Sequence, residues 1–218
     1  NNAFQLELAA NEVTDLPRAV REAAKDKEDD NRFIFTPPKP SLIPFLTYSK
    51  NRELREKIYK AYLNRGNNDN EHDNKAIIND MVRLRIEKAN LLGYKSYADY
   101  VVSEQMAHSP KAVYELLEEI FTPAVERAKE ELAEMNEMFK RDHSGANDKF
   151  ESWDWWYYAE KVRKQKYNLN EEMISPYFAL DNVRQGVFNL ANRLYGLTFQ
   201  PVIVPLYHNE ASAFKVID

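Results

Sequence analysis

From Ser109 onward the chain carries its longest periodic signal. Val113, Leu116, Leu117, Ile120, Ala124, Val125, Ala128, Leu132, Met135 and Phe139 recur by steps of three and four. That spacing lines one face of a helix and does not fit a strand, whose faces alternate every second residue. Ser109-Pro110 supplies the start, a hydroxyl to cap free N–H groups and then a proline in the first turn, where no donor is needed. Thr122-Pro123 falls inside the pattern and predicts a kink or a split into two helices. Only five glycines occur in 218 residues, which favours long helices over turn-rich β structure. The fold class read from these features is mainly α, with a few short strands near the ends.

Other segments follow the same logic. Phe4 to Leu8 alternate apolar and polar, as a half-buried strand does. Thr14-Asp15-Leu16-Pro17 opens a helix through Ala19, Val20 and Ala23 that dissolves in the acidic stretch Asp26 to Asp30. Phe33-Ile34-Phe35-Thr36 reads as a short strand, and Pro37, Pro38 and Pro40 forbid helix beside it. A short helix covers Ser41 to Tyr48. A firmer one starts at Ser49 or Asn51, carries Leu54, Ile58, Ala61 and Tyr62 on one face, and ends near Gly66. Asn67 to Asn74 is the most polar stretch and reads as an exposed loop.

A helix from about Asn74 to Leu92 places Ile77, Met81, Leu84 and Leu91 on a core stripe, with Gly93 as its left-handed cap. Ser96 and Asp99 form a capping pair for the next helix. After a loop at 142–150, Trp153 to about Lys166 is helical. Asn170 to Ile174 makes a turn or two, and Asp181 to Tyr195 another helix ending at Gly196. Leu197 to Val204 and Ala213 to Ile217 alternate as strands. With so little β structure, the strands at both ends are expected to find their partners outside this sequence, since lone strands are marginal in water. No internal repeat and no low-complexity linker marks a domain boundary.

Composition narrows the function classes. Hydrophobic residues make up 44% and charged residues 30%, as in an ordinary globular protein. The net charge of −5 argues against nucleic acid, which calls for a basic face. No apolar run reaches membrane-spanning length. Cysteine is absent, so disulfides and thiolate metal sites are excluded.

Chemistry-bearing letters are present, but their spacing is wrong. Zinc hydrolysis on a helix needs two His at i and i+4 with a Glu to take the water proton. His72, His108, His143 and His208 all lie more than four residues from one another. Glu104 and His108 have helix spacing and read as an exposed pair. Asp142-His143-Ser144 holds the letters of a nucleophile triad, yet sequence neighbours do not build that relay geometry. Asp69 to Asp73 suggests a calcium loop, but Asn74 stands where the loop needs glycine. Trp153 to Tyr158 beside Lys161, Arg163, Lys164 and Lys166 suggests base stacking; helix spacing instead puts Trp155, Tyr158 and Val162 on a core face and the cations mostly on a solvated one. The Glu residues of 115–137 alternate with Lys and Arg as exposed ion pairs. No Gly-rich phosphate loop, G-x-S-x-G or dinucleotide fingerprint occurs.

Several stretches in fixed order carry a resemblance. They are Tyr48-Ser49-Lys50-Asn51-Arg52-Glu53-Leu54-Arg55-Glu56, Lys88 to Ala98 with Leu91-Leu92-Gly93-Tyr94 at its centre, Trp153-Asp154 through Tyr157-Tyr158-Ala159-Glu160-Lys161-Val162-Arg163, Pro176-Tyr177-Phe178-Ala179-Leu180, and Gly186-Val187-Phe188 to Leu194-Tyr195-Gly196-Leu197-Thr198-Phe199. Over about 150 positions this order resembles the middle of the zinc metallopeptidases that include thimet oligopeptidase, oligopeptidase A and bacterial peptidyl-dipeptidase (dipeptidyl carboxypeptidase). The peptidyl-dipeptidase branch looks nearest, through Tyr157 to Lys166 and Leu206-Tyr207-His208.

The resemblance implies a mostly helical, two-lobed enzyme with a deep channel that admits short peptides and excludes folded proteins. It implies one zinc held by H-E-x-x-H and a later Glu, all downstream of the segment resembling 198–218. Residues 1–218 are then expected to be a partial helical region of a larger metallopeptidase that releases dipeptides from peptide C-termini. In that role they form channel walls and support the small sheet beside the zinc helix. No catalytic, cofactor-binding or metal residue is assigned within them, no zinc is expected to bind them alone, and the rest of the longer chain is expected to pack against them. Short peptides are the implied substrates, with neither nucleic acid nor membrane as partner. The cytoplasm is the implied location, with the periplasm as the alternative. Two other readings compete: an oligopeptidase A-like endopeptidase portion, and a non-catalytic helical peptide-binding or scaffold module.

Overall fold

A computed structural model of the chain describes residues 4–143, 145, 148–168 and 171–218. The chain divides into two compact units, Asn1–Tyr167 and Asn168–Asp218. The first opens with strand β1 (Leu6–Ala9), a 3-10 turn (Ala10–Val13), helix α1 (Arg18–Ala24) and strand β2 (Arg32–Phe35). Helices α2 (Lys39–Tyr48), α3 (Arg52–Leu63), α4 (Lys75–Leu91), α5 (Tyr97–Val102), α6 (Pro110–Asp142) and α7 (Trp155–Tyr167) follow. The second unit holds α8 (Glu171–Ile174), a 3-10 turn (Ser175–Phe178), α9 (Leu180–Tyr195) and strands β3 (Thr198–Val202) and β4 (Ala213–Ile217). The architecture is mainly α, as the periodicity predicts. Asn170, the expected start of α8, lies outside the described residues.

The strands do not lack partners. β1 pairs antiparallel with β2, Leu6 opposite Phe35 and Leu8 opposite Phe33, and β3 pairs antiparallel with β4. The first pairing joins segments separated by α1, a long-range contact that alternation along either strand does not reveal. It is stable because Leu6, Leu8, Phe33 and Phe35 all point to one buried face. That face meets Leu42, Phe45 and Leu46 of α2 and Ile58 of α3 in the main core. Phe35 and Phe45 pack with ring centroids 4.6 Å apart.

The helix starts follow local chemistry. The Asn51 side chain accepts the Leu54 N–H at 3.2 Å, and Ser109 accepts the Ala112 N–H at 3.2 Å. Ser96 accepts the Asp99 N–H at 3.1 Å and donates its hydroxyl to the Asp99 carboxylate at 2.7 Å. We expect Asn51→Ala to cost about 1 kcal/mol, because a first-turn N–H of α3 then has no side-chain acceptor; urea unfolding monitored by circular dichroism measures it. Pro40 sits inside the first turn of α2 rather than excluding helix there, since first-turn N–H groups have no intrahelical acceptor. Gly93 and Gly196 adopt left-handed φ of 82° and 76° at the C-terminal ends of α4 and α9, where glycine carries no Cβ penalty.

Of the kink and the split expected at Thr122-Pro123, the split does not occur: helix α6 continues through Pro123 to Asp142. The surrounding turn is exposed, so the carbonyl that loses its bond faces water. The expected core stripe of α4 is also largely uncovered: Ile77, Met81, Leu84 and Leu91 are exposed, as are Leu116, Leu117 and Ile120 of α6. Only Ala89 of α4, and Met135 and Phe139 of α6, are fully buried. Met135 and Phe139 join Tyr158 of α7 in a second core, with Trp155 and Val162 against it, as the aromatic spacing predicts. In the second unit Phe188 of α9 stacks on Phe199 at 4.1 Å, and Phe214 meets it edge-on at 5.0 Å. None of its described residues is fully buried.

Candidate functional site

The densest polar constellation joins α3 to the 3-10 turn at Ser152–Asp154 that leads into α7. Arg52 and Arg55 stand one turn apart on α3 and so share a face. Both reach Asp154, which is fully buried. The Arg52 Nε donates to both carboxylate oxygens at 3.1 Å, and its Nη2 donates to Oδ2 at 2.8 Å and to the Lys149 carbonyl at 2.7 Å. The Arg55 Nη2 donates to Asp154 Oδ1 at 2.8 Å. Its Nη1 donates to the carbonyls of Ser49 at 2.8 Å and Lys50 at 3.2 Å, and its Nε to the Trp153 carbonyl at 3.3 Å. The guanidinium also lies 4.4 Å from the Tyr157 ring centroid. The Glu151 N–H completes the set on Asp154 at 3.0 Å.

These contacts define what Asp154 does. Burial alone pushes its carboxyl up, but the hydrogen bonds from Arg52 and Arg55 outweigh that and hold it below the ordinary carboxylate range. Near neutral pH it neither gives nor takes a proton. It is a tie between α3 and α7, not an acid or base.

A second cluster lies between α6 and α7. Asp142 accepts the Tyr158 hydroxyl at 3.0 Å and the Lys161 ammonium. The Lys161 bond, with a smaller share from Tyr158, holds Asp142 below the usual range. Burial, then the bond to Asp142, pushes the Tyr158 hydroxyl above its ordinary value. Tyr158 is therefore fixed as a donor. The cations expected on the solvated face of α7 are ion-paired: Arg163 and Lys164 with Glu160, and Lys166 with Glu134. On α6, Arg127 meets Glu130 and Glu131, and Lys129 meets Glu126, as exposed helix-spaced pairs.

The four histidines have separate surroundings. His72 lies beside Glu71 in the 67–74 loop, with Nε2 3.5 Å from the carboxylate. His108 adopts φ 55° past the end of α5, so Glu104 and His108 do not share a helix and their four-residue spacing carries no contact rule. His143 stacks on Phe139 at 4.3 Å, with Nδ1 3.7 Å from Asp148. His208 accepts the Glu210 N–H on Nδ1 at 3.2 Å. Asp142 is turned to Tyr158 and Lys161 rather than to His143, and Ser144, the third letter of that run, lies outside the described residues. In the acidic loop, the Lys75 ammonium bonds Asp69 and Asp73 together with Asn67. Among the described residues, no group of three or more His, Asp or Glu is arranged to hold a metal ion.

Sequence reasoning quotes Arg52, Arg55 and Asp154 within longer motifs but gives them no role. Two signals were available. Cations in the first turn of a helix oppose its dipole and call for an anionic partner. A lone carboxylate between Trp153 and Trp155 calls for a cation.

Comparison with known proteins places this architecture. The model of peptidase family M3 matches residues 45–218. Organellar oligopeptidase A, chloroplastic/mitochondrial, of Arabidopsis thaliana is 35% identical over 192 residues, covering 87% of this chain and 24% of that protein. The dipeptidyl carboxypeptidase of Escherichia coli (strain K12) is 34% identical over 199 residues, covering 90% of this chain and 29% of that protein. Oligopeptidase A of the same strain is 30% identical over 215 residues, covering 95% and 31%. The chain thus spans about a quarter to a third of the length of the curated relatives it matches. The family match takes in Arg52, Arg55, Asp154 and the aromatic helix that follows them, and on its extent the chain belongs to peptidase family M3.

Proposed function

We propose that residues 1–218 are a wall-forming portion of a longer zinc metallopeptidase that removes dipeptides from the C-termini of short peptides. The observation that carries this reading is the match of residues 45–218 to peptidase family M3, with relatives of which the chain covers only 24–31%. Surface area supports it. The chain leaves 16757 Å² accessible, whereas a compact body of this mass exposes about 10,000 Å² and two separate bodies of the two units' sizes about 12,000 Å². The excess includes the apolar stripes of α4 and α6, which the rest of the same polypeptide covers in this reading.

The described residues do not suit the family's zinc. Their histidines are engaged one by one, at places set by different elements, and no two stand at i and i+4 on a helix. In this reading the metal and its base belong to other parts of the longer protein. What residues 1–218 contribute is rigid placement, with the Arg–Asp tie fixing α3 against the start of α7. A channel bounded by such helices admits an extended peptide and excludes a folded domain. The cytosol is the location that goes with this reading. Among the described residues no helix is long and apolar enough to cross a membrane.

A second reading, endopeptidase cleavage, is favoured by the relatives named oligopeptidase A. Two experiments decide. The parent gene is expected to encode H-E-x-x-H within a few hundred residues after Asp218. Purified 1–218 is expected to show no metal-dependent cleavage of a fluorogenic peptide, while the full-length protein cleaves it; turnover by 1–218 alone sinks the proposal. Mass analysis of products from a ten- to twelve-residue peptide separates sequential dipeptide loss from internal cuts.

A further inference from the structure

The β3–β4 ribbon has two outer edges, and they are not equivalent. Residues pair as Thr198–Ile217, Phe199–Val216, Gln200–Lys215, Pro201–Phe214 and Val202–Ala213. Antiparallel pairs alternate between those that exchange hydrogen bonds and those whose N–H and C=O groups point outward. Proline has no N–H, so the ladder accommodates Pro201 in a pair of the second kind. Phe214, opposite it, then directs its N–H and C=O away from β3, and so does Val216 two residues on. The outer edge of β3 keeps two carbonyls but only one donor, the N–H of Phe199, because Pro201 has none and puts its ring where the second would point. The outer edge of β4 keeps both donors and both acceptors. Among the described residues no other element bonds the backbone of Phe214 or Val216, and Val216 is exposed.

The geometry points to β4 as a strand-docking edge that takes a third, extended segment of the same longer polypeptide, while the β3 edge is closed by Pro201. The inference rests on the reading that residues 1–218 belong to a longer chain. Two observations select this occupant. A two-stranded ribbon without a buried core is marginal by itself, and the described residues of the second unit bury no side chain fully. A second copy fits poorly. The antiparallel register that uses all four outward groups of both copies sets Lys215 directly opposite Lys215, a like-charge pair that opposes association.

Amide hydrogen exchange resolves the question. In 1–218 alone, the Phe214 and Val216 amides are expected to exchange freely. In the full-length protein they are expected to slow by at least about a hundredfold, while the Phe199 amide stays fast in both. Val216→Pro removes an outward donor only. It is expected to leave the thermal unfolding of 1–218 unchanged and to lower the yield of soluble full-length protein severalfold, whereas Lys215→Pro, which removes a β3–β4 bond, is expected to weaken both. Equal exchange of Phe214 and Val216 in the two proteins overturns the docking edge while leaving the peptidase reading intact. Protection that arises in 1–218 with rising concentration overturns it in favour of a second copy, and protection only on adding a short peptide overturns it in favour of substrate. A reading frame that ends at Asp218 overturns both proposals together.

Discussion

Truncation of Asp154 to alanine is expected to destabilise the first unit by about 3–5 kcal/mol, the range for removing one partner of a buried ion pair. The size follows from what is left behind. Arg55 is 1% exposed, and its guanidinium is a buried cation with five donors to satisfy. Without Asp154 it keeps only the carbonyls of Ser49, Lys50 and Trp153 and the face of Tyr157. The Glu151 N–H also loses its acceptor. Arg52→Ala is expected to cost much less, because the Arg52 side chain is 28% exposed and Arg55 still satisfies Asp154. The midpoints of urea unfolding give both values. A loss below about 1 kcal/mol for Asp154→Ala would mean that Arg55 finds water in the variant and that the tie is not what fixes α3 to α7.

The same group sets an acid limit. In the folded chain the Asp154 carboxyl titrates below its ordinary value of 3.8. The unfolded chain therefore binds a proton there first as pH falls. The stabilisation is complete above 3.8 and is lost as pH drops through the lower folded value. Asp142, depressed by Lys161 and Tyr158, acts in the same direction. Acid unfolding followed by circular dichroism is expected to start at higher pH in Asp154→Asn than in the parent, and to show a shallower pH dependence below 4.

How far sequence carries depends on the distance a contact spans. The starts of α5 and α6 were legible, and that of α3 was narrowed to Ser49 or Asn51, because Asn51, Ser96 and Ser109 act on backbone groups three residues away. The aromatic face of α7 was legible because helix spacing alone brings Trp155, Tyr158 and Val162 together. The pairing of β1 with β2 was not, since each strand's alternation says which face is apolar and nothing about which partner covers its edge. The Arg–Asp tie joins residues about 100 positions apart, a convergence that no local spacing encodes. The stripes of α4 and α6 mark the opposite failure. Their periodicity states that a face is apolar, and the expected burial of that face depends on what packs there. The absence of an i, i+4 histidine pair was legible outright, because such a pair is defined by local spacing.

Phe139→Ala carries the other large expected effect, about 3–5 kcal/mol for an aromatic removed from a closed core. Helix α6 runs 33 residues, yet Met135 and Phe139 are its only fully buried ones among those described. The Phe139 ring meets Phe150 at 5.7 Å and Tyr158 at 5.5 Å, stacks on His143, and lies 5.2 Å from the Arg52 guanidinium. It thus touches α7, the loop before it and the Arg–Asp tie at once. Its loss removes the largest apolar contact at the C-terminal end of α6, which Met135 and the bonds of Asp142 to Tyr158 and Lys161 also hold. The damage is expected to be local, with the amides of residues 130–142 exchanging faster while those of α2 and α3 keep their protection. Leu117→Ala on the same helix provides the contrast. Leu117 is 53% exposed, so its truncation is expected to stay within about 0.5 kcal/mol in 1–218. In a longer protein that covers the stripe, the same change is expected to cost about 2 kcal/mol or more. Equal effects of the two substitutions in 1–218 would show that the apolar face of α6 is already buried, and the case for a covering partner would fail with it.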